Sequence, residues 1–263
     1  MRDDAAGDLA RWIPRLLAVW RKQRNAARKG QRPGPPPPEN ELTPDELRTV
    51  SAGVKTLSHG LTRERKLAGA RYMDDPALLG AYLLFYWPVS YAQARATLSE
   101  LPTRPRQVLD LGAGPGPLAF AALDAGANQA TAADRSRAAL DVARALAAEA
   151  SEGLATRDWS PERPLPDGTF DVITMGHVVN ELYDGDIARR TALVESVLAR
   201  LTPNGSLLII EPALRDTSRA LLALRDALVA KGHVIRAPCL YRGACPALVK
   251  ESDWCHAERT WRL

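Results

Sequence analysis

Gln107-Val-Leu-Asp-Leu-Gly-Ala-Gly-Pro-Gly116 is an apolar run that ends in three alternate glycines and passes into an alanine-rich stretch over residues 118–125. It reads as a strand, a tight turn and a helix. Glycine lets the backbone bend sharply and approach a ligand closely, and the helix that follows presents its free N–H groups to the same point. The stretch therefore predicts a nucleotide-like ligand held over Gly112, Gly114 and Gly116.

The three glycines are spaced Gly-x-Gly-x-Gly, whereas the dinucleotide fingerprint needs one more residue before its last glycine. Asp110 stands at the carboxyl end of the strand, just before the turn. A carboxylate there repels a pyrophosphate and favours a ligand that carries an ammonium and a sulfonium but no phosphate. S-adenosylmethionine is such a ligand, and a nicotinamide oxidoreductase is disfavoured. The stretch resembles the first motif of the class I S-adenosylmethionine-dependent methyltransferases, a hydrophobic strand ending in Asp or Glu followed by Gly-x-Gly-x-Gly.

From residue 107 onward strands and helices alternate, the pattern of a doubly wound parallel sheet covered on both faces. Strands are predicted at 107–111, 129–134, 154–157, 170–175, 206–211 and 233–237, and helices at 136–150, 186–201 and 217–231. In such an α/β sheet the ligand lies across the carboxyl ends of the strands, where the strand order reverses. Asp134 ends the second strand, placed to accept hydrogen bonds from both ribose hydroxyls, with a turn or cap carboxylate as the alternative. Asp158 and Trp159 follow the third strand. In methyltransferases this place resembles the position that reads adenine, and a capping role is again the alternative.

Gly176-His177-Val178-Val179-Asn180-Glu181-Leu182 follows the fourth strand, where side chains would face the methyl group. Methyl transfer is an in-line displacement on an activated sulfonium, so positioning and desolvation supply most of what the protein contributes and no acid–base pair is required. His177 is assigned to the cofactor site. Asn180 and Glu181 join it as candidates for the chemistry, with ligand contact or loop packing as the ordinary role of all three, and no catalytic residue is assigned.

The rest of the chain frames this unit. Its 263 residues, 46% apolar, suffice for one α/β domain with a smaller appendage. No run is long enough to span a bilayer, Asp3, Asp4 and Asp8 argue against a secretory signal, and a cytoplasmic protein is expected. The net charge is only +4, but residues 9–32 hold eight basic residues and no acidic one. A basic amphipathic arm over residues 1–30, helical from Ile13 with Pro14 in its first turn, is expected to be tethered by a proline-rich linker at 31–42. Its field suits a polyanion, RNA first, with a solvated helix or a mitochondrial presequence as alternatives. Thr43-Pro44-Asp45-Glu46 starts a helical region, 43–104, whose cluster Tyr82, Phe85, Tyr86, Trp87 and Tyr91 reads as core, with Pro88 bending or breaking the helix. The ligand-binding domain then covers 105–237.

All three cysteines, Cys239, Cys245 and Cys255, fall in the last segment, 238–263. Thiols gathered in a cysteine-poor chain suggest a metal, either zinc with His256 or an iron–sulfur cluster with an outside fourth ligand, against the alternative of unliganded cysteines. The helical region, the glycine turn, Asn180-Glu181-Leu182 and the spacing Cys-x5-Cys-Pro followed by Asp-Trp-Cys-His together resemble the methyltransferase-like family associated with the small subunit of mitochondrial ribosomes and its bacterial relatives. The resemblance implies a factor that binds rRNA and acts in small-subunit assembly or translation, with an iron–sulfur cluster on four cysteines, three of them Cys239, Cys245 and Cys255. The family's fourth cysteine and the last antiparallel strand of a class I sheet would lie beyond Cys255, so either the sequence is expected to continue past Leu263, the preferred reading, or the cluster site is degenerate.

Overall fold

The computed structural model describes residues 5–27, 37–102, 104–150 and 153–258. The first helix, α1 (Ala5–Ala27), starts well before Ile13 and carries Pro14 in its interior. Leu9, Trp12, Leu16, Val19 and Trp20 recur at helical spacing and are all buried, the helix packing on residues 87–98 and 137–150. Trp12 lies 4.6 Å from Phe120, 5.3 Å from Trp87 and 6.4 Å from Tyr91, ring centre to ring centre, and its indole N–H donates to Asp124 Oδ2 at 2.7 Å. The tethered arm is thus corrected to a packed helix. Its apolar stripe is wide enough to enter the core, and its bases meet acids from elsewhere: Arg21 forks onto Glu46, Arg24 pairs with Asp45, and Arg11 with Asp124. Residues 31–36 of the proline-rich linker lie outside the described residues.

Helix α2 (Pro44–Ser58) begins with the capping box its sequence announces, Glu46 N donating to Thr43 Oγ1 and Thr43 N to Glu46 Oε2. After a wide π-type turn, His59–Arg63, the strap 64–75 leads to α3 (Pro76–Ala81), capped by Asp75. A second π-type turn, Tyr82–Tyr86, precedes α4 (Trp87–Leu98). Pro88 occupies the first turn of α4, where no helical N–H is lost. Tyr82, Trp87 and Tyr91 are core, while Phe85 is 49% exposed.

Five parallel strands follow: β1 (Gln107–Leu111), β2 (Gln129–Asp134), β3 (Leu154–Asp158), β4 (Phe170–Gly176) and β5 (Leu201–Ile210), in the order β3-β2-β1-β4-β5. The order reverses between β1 and β4, as the methyltransferase resemblance implies. Helices α5 (Pro117–Asp124), α6 (Arg137–Ala150), α7 (Ile187–Leu198) and α8 (Arg215–Ala230) complete the α/β layers. One core lies between α1, α4, α5, α6 and the sheet; a second joins Leu109, Leu111 and Ile173 to α7 and α8. Among the described residues no helix is long and apolar enough to cross a membrane.

The strand predicted at 233–237 does not form. His233 N donates to Leu228 O and so finishes the turn of α8, Val234 is 73% exposed, and Pro238 follows at once. Too few residues remain between that turn and the proline to build a ladder. The segment 238–258 is instead fastened by its carbonyls: Arg219 Nη1 donates to Ala247 O, Lys250 O and Asp253 O at 2.6–2.9 Å.

Candidate functional site

Gly112, Gly114 and Gly116 have φ of +71, +53 and +81°, a region closed to most side chains. The space is closed as well, since a Cβ on Gly112 would come within 2.6 Å of Val178 Cγ2. Gly112 N and Ala113 N both donate to Ala133 O, so the turn hangs from the end of β2. Asp134 clamps it: Oδ2 accepts from Gly114 N at 2.8 Å and Oδ1 from Ser136 N at 2.7 Å. Trp87 Nε1 donates to Pro115 O, which ties the helical region to the same turn.

Asp110 does not face the ligand side. It is 1% exposed, with Oδ1 accepting from Thr174 Oγ1 at 2.7 Å and Oδ2 from Ala119 N at 3.1 Å. The carboxyl thus joins β1 to β4 and to the first turn of α5. Burial pushes its pKa up to about 7. The expectation of a carboxylate facing a bound cation is corrected at this residue, because Val108 and Asp110 point to the sheet face that α5 covers.

Asp158 is the register partner of Asp134 across β3 and β2, and its exposed carboxylate meets Arg163 at 2.9 Å. Trp159 is 3% exposed, its backbone N–H donates to Asp134 O, and its indole N–H has no hydrogen-bond partner. His177 sits at φ +59°, its Nε2 3.1 Å from Gln93 Oε1; burial lowers its pKa to about 4, so the ring is neutral at pH 7. Asn180 is fully engaged: its N–H and amide group donate to Glu211, and its Oδ1 accepts from Arg65 Nη2 at 2.7 Å. Glu181 Oε2 accepts from Gly69 N at 3.0 Å.

The strap 64–75 is the part of the site that the sequence did not disclose. Arg135 Nη2 donates to Gly69 O and Ala70 O, and Ser136 Oγ donates to Asp74 Oδ1. Met73 lies over Gly114, its Cε 3.0 Å from where a Cβ would stand. Glu211, just past β5, was missed as well. The available signal was an acid at or just beyond the ends of four strands: Asp110, Asp134, Asp158 and Glu211. Burial is the largest influence on Glu181 and Glu211 and raises both to about 7, and Asp134 is raised for the same reason. The carboxyl ends of β1, β2, β4 and β5 therefore gather four carboxyls, Asp110 buried and Asp134, Glu181 and Glu211 half-buried. A separate cavity of about 700 Å³, lined by Arg106, Gln129 and Asp171, opens at the opposite, amino ends of the strands.

Over residues 77–263, from α3 through the whole sheet, the sequence matches the family described as mitochondrial small ribosomal subunit Rsm22. The chain belongs to the Rsm22 family. No curated protein matches it. Among solved structures it is similar to the glycopeptide N-methyltransferase MtfA complexed with S-adenosylmethionine, at 28% identity over 46% of this chain and 53% of that one, with a TM-score of 0.40. It is also similar to the ribosomal protein L11 methylase of Lactobacillus delbrueckii subsp. bulgaricus, at 23% identity over 54% and 68%, with a TM-score of 0.43. The chain thus spans about half the length of MtfA.

In this Rsm22-family chain the thiols do not converge. Cys239 and Cys255 are exposed and Cys245 is half-buried. Among the described residues no three of His, Cys, Asp or Glu come together as metal ligands. His256 stacks on Trp254 and meets Glu258 at 2.7 Å. The expected metal set at Cys239, Cys245 and Cys255 does not fit the arrangement. Arg219, and Arg225 donating to Gly243 O, fasten the segment along α8 through its backbone without folding it around a centre.

Proposed function

We propose that this Rsm22-family chain binds S-adenosylmethionine on the glycine turn after β1 and acts, as a methyltransferase-like protein, on the small ribosomal subunit. The carrying observation is the turn itself, clamped by Asp134 and set among half-buried carboxyls, with no lysine or arginine among the described residues bonded to Glu181 or Asp134. Such a field favours a cationic nucleoside over a diphosphate. When bound, the cofactor supplies a methyl group already activated on sulfur. The chain's part is to orient and to exclude water: the glycine turn brings backbone N–H groups close, Asp134 keeps acceptor capacity for ribose hydroxyls, and the strap covers the turn. Isothermal titration tests this reading: S-adenosylmethionine is expected to bind at micromolar concentration, and binding of NAD instead would overturn it.

A second reading, a non-enzymatic assembly module in which the cofactor holds the shape, is favoured by one observation. His177, Asn180 and Glu181, the side chains nearest the expected methyl position, all bond to protein groups. Transfer of labelled methyl from the cofactor to small-subunit rRNA by purified protein, lost in Gly114→Val, excludes that module; its absence despite cofactor binding supports it.

A further inference from the structure

Asp110 is 1% exposed beneath the turn, on the sheet face that α5 covers, where its oxygens accept from Thr174 and Ala119, so it does not reach a ligand held above the glycines. Another carboxylate is better placed. Glu181 lies on the short turn Val179–Glu181 that follows β4, and β4 is the neighbour of β1. Val178, at the start of this turn, packs directly on Gly112. One oxygen of Glu181 accepts from Gly69 N, and the other has no hydrogen-bond partner among the described residues.

Glu181 also makes no ion pair within 4 Å there. The two arginines near enough to influence it are occupied elsewhere, Arg65 on Asn180 and Arg135 on the carbonyls of Gly69 and Ala70. The other half-buried carboxylates in the region accept through both oxygens, Glu211 from Asn180 and Asp134 from Gly114 N and Ser136 N. A partly buried carboxylate with an open oxygen and no paired cation is an incomplete electrostatic unit, and it gains most from a cationic ligand.

We infer that Glu181 is the residue by which this site distinguishes a positively charged sulfonium cofactor from its neutral thioether product. The inference rests on the cofactor reading above and adds which residue reads the charge. S-adenosylmethionine and S-adenosylhomocysteine differ by one methyl group and one positive charge, so the ratio of their affinities isolates the electrostatic contribution. Glu181 raises that ratio and favours release of the product after transfer.

Calorimetric titration of the full chain with each compound at pH 8 tests this. The wild type is expected to bind the sulfonium about tenfold more tightly than the thioether, equivalent to ~1.4 kcal/mol. In Glu181→Gln the ratio falls towards one while affinity for the thioether changes by less than about threefold, which also shows that the variant is folded. A second variant, Glu181→Asp, keeps the charge and restores part of the ratio. An unchanged ratio in Glu181→Gln with both compounds still bound overturns the inference alone. Failure of the wild type to bind either compound overturns the cofactor reading and the inference with it.

Discussion

At the scale of single residues, the glycines and Asp110 show how differently two neighbouring signals travel from sequence to structure. The glycines were legible as a tight turn because few residues other than glycine adopt φ of +53 to +81° at low cost. Gly112→Ala should therefore lose 1–3 kcal/mol, roughly the cost of a strained backbone position, with Val178 displaced as well. A lower urea midpoint with an unchanged slope checks it. Asp110, expected to face the ligand, is buried beneath the turn instead. Its side chain alternates with Leu109 and Leu111 on a strand covered on both faces, so it had to be buried. Asp110→Ala leaves Ala119 N–H and Thr174 Oγ1 without their acceptor. The expected loss is about 1–3 kcal/mol at neutral pH, read by the same denaturation curve.

At the scale of elements, the sheet could be read almost strand by strand, because the strands end at or beside an acid or glycine and helices follow β1, β2 and β5 within a few residues. What failed was charge counting. Eight basic residues suggested an arm available to a polyanion, while the apolar positions 9, 12, 16, 19 and 20 already formed a stripe fit for a core. The acids that answer those bases stand far along the chain: Glu46 is 25 residues from Arg21 and Asp124 is 113 from Arg11, a distance local reading cannot bridge. The same limit hid the strap, whose partners Arg135, Ser136 and Glu181 are 62 to 112 residues away. If α1 is structural, Trp12→Ala should cost about 3–5 kcal/mol, the range for emptying a buried aromatic site. Lys22→Ala, on the exposed side, should stay within roughly 0.5 kcal/mol. Thermal unfolding of both variants checks the contrast; similar melting temperatures would return α1 to the status of an arm.

At the scale of the whole molecule, the site is where the fold accepts electrostatic cost. Asp110, Glu181 and Glu211 hold their protons up to about pH 7 in the folded chain, because burial disfavours the charged form. Unfolded, the same groups release protons near pH 4. Between these limits the folded state binds more protons than the unfolded one, so the stability these groups contribute is full below pH 4 and is lost as pH rises through 7. His177 acts in the opposite sense, since the unfolded ring takes up a proton that the folded one, with a pKa of about 4, refuses; it offsets one group of the three. Carboxylates with lowered values, such as Glu46 and Asp171, lose their contribution only in more acidic solution. The free protein should therefore melt highest in mildly acidic buffer and lower at pH 8. A bound sulfonium reverses part of this slope, because a cation favours the ionised carboxylates and expels their protons. The rise in melting temperature caused by S-adenosylmethionine should accordingly be larger at pH 8 than at pH 6, and binding should release protons that buffers of different ionisation enthalpy reveal in calorimetry. A ligand-induced shift that is equal at the two pH values, with no proton released, would mean that the buried carboxyls do not face the ligand at all.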